Sequence, residues 1–298
     1  MLNNIKNISL IAALLVSSSA MASVTTTSGH FGGVSDTGNN FNQFEVNFGG
    51  VDVKVSGWSD TGNVSSNPSN SNDLDPIIER AVDFEKYGNG WSMKNTDESS
   101  SGNCGYSHSA DNLGSGCDYQ DYDFFLLEFS EAVTLNSADY SWRHRDYTHT
   151  SNGYVYTETK SEATASNQVS VAALRSGSLD QSTWQDVKDN QTIASNWSQM
   201  RYSGTDKQAY YTNFGQTGSG NASNLANTSS NFWLIGALNA AVFGGNTSWE
   251  GDDGMKLAGI TFTTSSQSPA TSVPEPSSIA LFGLAIAGLF ASSRKKLK

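Results

Sequence analysis

Phe44, Val46 and Phe48 alternate with Glu45 and Asn47, and after Gly49-Gly50 the residues Val51, Val53 and Val55 alternate with Asp52, Lys54 and Ser56. Successive side chains of a strand point to opposite faces, so a period of two gives each run one apolar side. A glycine pair between two such runs supplies the positive φ angles of a tight hairpin turn. This stretch is therefore expected to be a β-hairpin with one buried face.

The same reasoning extends along residues 23 to about 270. Tyr122–Phe129 is a longer, greasier run, expected as a central strand, and Val133 and Leu135 continue it past a bulge or bend. Tyr154–Thr159, Gln168–Leu174, Phe232–Leu238 and Leu257–Thr263 are further strands, the third of them apolar on both faces. Polar turns separate them, which points to a single all-β domain of the β-sandwich or jelly-roll-like kind. Two short helices are expected as decorations. One follows Asp75 as N-cap and Pro76 at the first helical position, with Ile77, Ile78, Ala81, Val82 and Phe84 on one side. The other lies within Leu179–Val187, around Trp184.

The two ends differ from this body. Lys6, the apolar stretch Ile8–Val16 and Ala20-Met21-Ala22 have the layout of a secretory signal peptide, with cleavage before Ser23. At the other end, Val273 leads into Pro274-Glu275-Pro276, an apolar run of 13 residues from Ile279 to Ala291, and the basic cluster Arg294-Lys295-Lys296. With its flanking serines that run approaches the lower limit of roughly 17 residues for a membrane-spanning helix. The basic cluster would stay on the cytoplasmic side, leaving the body outside the inner membrane. The expected organisation is a signal peptide at 1–22, a β body at 23–263, a Ser/Thr/Pro linker at 264–276, and a transmembrane sorting helix with a basic tail at 277–298.

Proline-bracketed glutamate, short apolar helix and terminal basic cluster, in that order, resemble the PEP-CTERM sorting signal of Gram-negative bacteria. The resemblance implies recognition by a membrane-bound exosortase that cleaves near Pro274-Glu275-Pro276 and passes the protein to the cell surface or extracellular matrix. A weaker likeness covers Ser107-His108-Ser109-Ala110-Asp111-Asn112, Tyr122–Phe129 and Ala132-Val133-Thr134-Leu135, which resemble a pattern in exosortase-dependent surface proteins. The tract Asp252-Asp253-Gly254-Met255-Lys256-Leu257 before the last strand is a further common feature of such proteins. These likenesses imply location and β architecture rather than chemistry.

Five of the 17 basic residues lie in the two ends, so the part between them keeps twelve against 29 acidic residues, a formal charge of −17. Such a surface repels phosphate backbones, which argues against a nucleic-acid partner and suits cations. Cys104 and Cys117, with twelve residues between them, are expected to form a disulfide in an oxidising compartment; a metal pair is the rival reading.

The residues give little sign of catalysis. His30, His108, His144 and His149 form no zinc-binding motif. Asp118, Asp121, Asp123, Glu128, Glu131, Glu250, Asp252 and Asp253 supply carboxylates, but a glycosidase needs two at a set separation across a cleft, which spacing does not show. Asp252 and Asp253 are the first candidates for Ca²⁺, which takes oxygen ligands from such loops. Trp58 and Trp249, beside Gly/Ser/Asn/Asp turns, are candidates for stacking on sugars. The sequence thus reads as a non-enzymatic surface or biofilm-matrix protein associated with exopolysaccharide. A carbohydrate- or Ca²⁺-binding adhesion module and a secreted polysaccharide hydrolase are the alternatives.

Overall fold

The computed structural model describes residues 23–35, 42–60, 77–81, 83–94, 109–112, 122–143, 146–151, 154–159, 168–199, 201–202, 210–214, 222–239, 242, 254–266 and 283–286. Sixteen strands are described, in chain order: β1 (Ser23–His30), β2 (Gln43–Phe48), β3 (Val51–Asp60), β4 (Ile78–Arg80), β5 (Asp83–Tyr87), β6 (Gly90–Lys94), β7 (Ala110–Asp111), β8 (Asp123–Arg143), β9 (Asp146–Ser151), β10 (Tyr154–Thr159), β11 (Gln168–Leu174), β12 (Gln191–Gln199), β13 (Arg201–Tyr202), β14 (Tyr210–Asn213), β15 (Ser230–Ala237) and β16 (Gly254–Ser266). One α-helix, α1 (Trp184–Asn190), interrupts them. The all-β expectation holds.

The expected hairpin is present. Phe48 faces Val51 across a two-residue turn, and Gly49 and Gly50 take φ of 62° and 94°, values that L side chains resist. β9 and β10 pair with each other alone, and the other fourteen strands join one hydrogen-bonded sheet.

β8 organises that sheet. Its first half lies between β3 and β15, with Leu127 opposite both Val55 and Trp233. Its second half lies between β14 and β16, with Ala138 opposite Thr212 and Ile260. The strand is 21 residues long, and Ser130, Glu131 and Ala132 at its middle are exposed. Beyond them it pairs with different neighbours, so it serves two layers. Val53, Phe125, Trp233, Trp91, Leu257 and Phe262 meet in the main core between the layers. Phe129 of β8 meets Phe262 of β16 edge to face at 5.2 Å, and Phe84 of β5 lies 6.0 Å from Phe125.

A second cluster covers the far side of the first layer: Phe124, Leu126, Ala172 and Leu234 of its strands under Leu179, Trp184 and Val187 of the α1 region. The first layer is therefore buried on both faces. That is why β8 begins, and β15 continues, as an unbroken apolar run. Among the described residues the second layer packs against the core on one face. Along β16, Met255, Leu257, Ile260 and Phe262 are buried while Lys256, Thr261 and Thr263 are half-buried, the alternation of a one-sided strand.

α1 falls where a short helix was expected. Thr183 accepts from the Asp186 backbone, and Asp186 accepts from the Thr183 backbone at 2.8 Å, a capping box. The helix expected after Asp75-Pro76 is corrected: Ile78–Arg80 is a strand. Trp58, Ser59 and Asp60 of β3 offer it a sheet edge, and Ile78 is buried in the second cluster. A helix of so few residues has no comparable source of stability. The body also runs past 263, because Thr264 pairs with Val133 and is buried.

The chain divides into one unit of Thr25–Thr264, which holds these layers, and another of Met1–Val24 with Ser265–Lys298. Of the C-terminal stretch after Ser266, only residues 283–286 are described; they are helical and exposed. Among the described residues no helix is long and apolar enough to cross a membrane.

Candidate functional site: the outer face of the second layer

The outer face of β14–β8–β16–β1 is built by register. Lys256 pairs with Trp142, Gly259 with Asp139, Thr261 with Ser137 and Thr263 with Thr134. From the other side, Tyr211 pairs with Asp139 and Asn213 with Ser137. On β1, Thr26 shares a hydrogen bond with Thr263 between hydroxyls 3.2 Å apart, and Ser28 does so with Thr261 at 2.9 Å. Asn136 Nδ2 donates to Thr263 Oγ1 at 2.6 Å. The face is thus a lattice of hydroxyls and amides that hold one another in place.

Charge enters at two points. His30 Nδ1 stands 4.0 Å from Asp139 Oδ2. Gly259 makes this possible: a Cβ there would lie 2.6 Å from the Gly29 carbonyl oxygen and 2.8 Å from His30 Nδ1. Burial raises the Asp139 carboxyl above the ordinary carboxylate range, and the nearby His30 opposes the rise. At one end of the face the Lys256 ammonium lies 4.6 Å from the Tyr87 ring centre and 5.4 Å from that of Trp142. Burial lowers its pKa.

Asp139 is held at a cost. Its folded-state pKa lies above the unfolded value of 3.8. The stability linked to its proton is therefore complete below that pH and lost as pH rises through the folded value. At pH 7 the ionised carboxylate destabilises the fold, and Asp139→Asn is expected to raise the urea midpoint by roughly a few tenths molar. The gain should shrink toward zero as pH falls to about 4. Urea melts of the two proteins at both pH values check this, and a lower midpoint for the variant at pH 7 would contradict it.

A second polar cluster is buried where β7 meets the start of β8. Ser109 Oγ donates to Asp111 Oδ2 at 2.6 Å, the Asp111 amide donates to Asp123 Oδ2 at 3.3 Å, and Asn112 Nδ2 donates to the Leu238 carbonyl at 3.0 Å. Asn239 donates its amide to Ser170 Oγ at 2.9 Å and accepts from the Val242 amide at 3.0 Å. Beside it a small indentation is lined by Asp123, Ser170, Trp184 and Asn239 among others. Asp111, Asn112, Asp123 and Asn239 are at most 2% exposed. The Asp-Asn pair singled out in the sequence thus fastens a loop to the ends of two central strands.

Of the residues chosen from sequence, Trp58 is corrected. It is 3% exposed, its Nε1 donates to Ser56 Oγ at 2.9 Å, and the Arg80 guanidinium covers its ring at 4.8 Å. Pairing of β3 with β4 brings Arg80 there, leaving no open ring for a sugar. Glu128 is paired with Lys54 at 2.7 Å. Trp249, Asp252, Asp253, Cys104, Cys117, Pro274, Glu275, Pro276, Arg294, Lys295 and Lys296 lie outside the described residues, so the sugar, calcium and disulfide expectations that rest on them do too. Among the described residues no group of three or more His, Cys, Asp or Glu could hold a metal. Sequence reasoning missed the Tyr211–Asp139–His30 row, because its members come from three separate strands. The one local trace was the polar half of the alternation in β16.

Residues 272–295 match the family model of the PEP-CTERM protein-sorting motif. No curated protein and no solved structure matches the chain.

Proposed function

From a C-terminal protein-sorting motif, we propose that this chain is an exported protein of a Gram-negative bacterium, cut by an exosortase and delivered to the cell surface or extracellular matrix. There it serves, without catalysis, as a component associated with exopolysaccharide. The observation that carries this reading is the match over residues 272–295, which spans the proline-bracketed glutamate, the apolar run and the first two basic residues, Arg294 and Lys295.

Intact mass of the protein from its native host tests the reading. The wild type is expected to lose about 22 residues at each end, whereas a variant with Pro274, Glu275 and Pro276 all changed to Ala keeps its C-terminal segment and stays with the inner membrane. Arrival of that variant outside the cell, processed as the wild type is, would end the proposal.

A further inference from the structure

The outer face of the second layer presents hydroxyls and amides around the charged pair His30 and Asp139. We infer that it is a binding surface for an extended, uncharged polysaccharide, centred on Asp139 and Tyr211. The inference rests on the exopolysaccharide reading above and adds the surface and the chemistry of the ligand.

Shape argues for a polymer. Among the described residues the face is a sheet surface of half-buried side chains, and its paired rows from Thr263 to Lys256 run for about 24 Å, long enough for several sugar rings in line. The indentation described above, by contrast, is walled by buried side chains and offers no comparable length.

Chemistry argues for hydroxyl-bearing, neutral units. The hydroxyls of Thr26, Ser28, Thr261 and Thr263 are oriented by bonds to one another; Thr263 Oγ1 is also bonded by Asn136 Nδ2, whereas Thr26, Ser28 and Thr261 keep hydrogen-bonding capacity beyond that one bond. Asp139 adds an ionised acceptor, and hydrogen bonds to ionised groups are the stronger kind. Tyr211, half-buried beside it, offers a ring edge or face to the C–H side of a sugar. A uronate chain would meet both this carboxylate and a formal charge of −17, so repulsion selects the neutral polymer. The destabilising burial of Asp139 fits a residue kept for binding rather than for the fold.

The test uses the full chain in detergent, run by affinity electrophoresis through gels containing dextran, galactomannan, hydroxyethyl cellulose or, as the anionic polymer, alginate. At least one neutral polymer is expected to retard the wild type more strongly than alginate does. Tyr211→Ala and Asp139→Asn should each weaken that retardation about tenfold or more. Asp139→Asn is the decisive variant, because it should bind less while melting no lower, a combination that loss of structure cannot produce. Equal retardation of both variants and the wild type overturns the assignment of this face and leaves the exopolysaccharide reading standing. Stronger retardation by alginate overturns the neutral ligand. Retardation of the wild type by none of the polymers counts against the exopolysaccharide reading itself, and the face falls with it.

Discussion

Trp233→Ala is expected to cost about 4 kcal/mol and to lower the melting temperature by roughly 10 °C. Trp233 is fully buried on β15, opposite Leu127 of β8 and Ala173 of β11, where the first layer faces the main core. Truncation leaves a cavity that two flanking strands cannot close without breaking their own ladders. It also removes a donor. The indole Nε1 bonds the Val133 carbonyl at 3.1 Å and the Ser230 carbonyl at 3.2 Å, where the pairing of β15 with β8 shifts register. Those carbonyls would stay buried with one partner fewer. Thermal melts by circular dichroism measure the effect. A drop of only one or two degrees would mean that the β8–β15 pair does not bear the core's stability as described.

Gly236→Val should be worse, costing about 3 kcal/mol at the least and leaving little soluble protein. A Cβ at Gly236 would lie 2.6 Å from the Asp123 carbonyl oxygen and 2.6 Å from Phe124 Cβ. Neither atom can step aside, because both belong to the start of β8, which also pairs with β3. Gly33→Ala is the matched control, since nothing lies within 4 Å of a Cβ placed there. Its melting temperature is expected to stay within about two degrees of the wild type. Soluble yield and urea midpoints of the two variants decide the matter. A Gly236→Val protein as stable as Gly33→Ala would contradict the close approach of β15 and β8.

Both variants probe the first layer, whereas the proposed ligand surface belongs to the second. Residues that carry stability and residues offered for binding are thus separable by mutation. Asp139 marks the difference: a carboxylate partly withdrawn from water costs stability, and nothing in the core requires it.

The sequence by itself determined several of the strands and the sorting motif. Period-two alternation placed the turn of the β2–β3 hairpin to the residue, because a strand's faces alternate wherever it lies. Unbroken apolar runs marked β8 and β15 as buried on both sides. The sorting motif was legible because its parts adjoin along the chain and need no fold to be recognised. Tertiary structure alone decided the rest. Ile78–Arg80 became a strand only because β3 presented an open edge beside an apolar cluster. Trp58 was closed off only because that pairing laid Arg80 across its ring. The outer face exists only because β14, β8, β16 and β1, far apart in the chain, lie side by side. Hydrogen-bond register between distant strands depends on loop closure and core packing, and neither is written in the spacing of nearby residues.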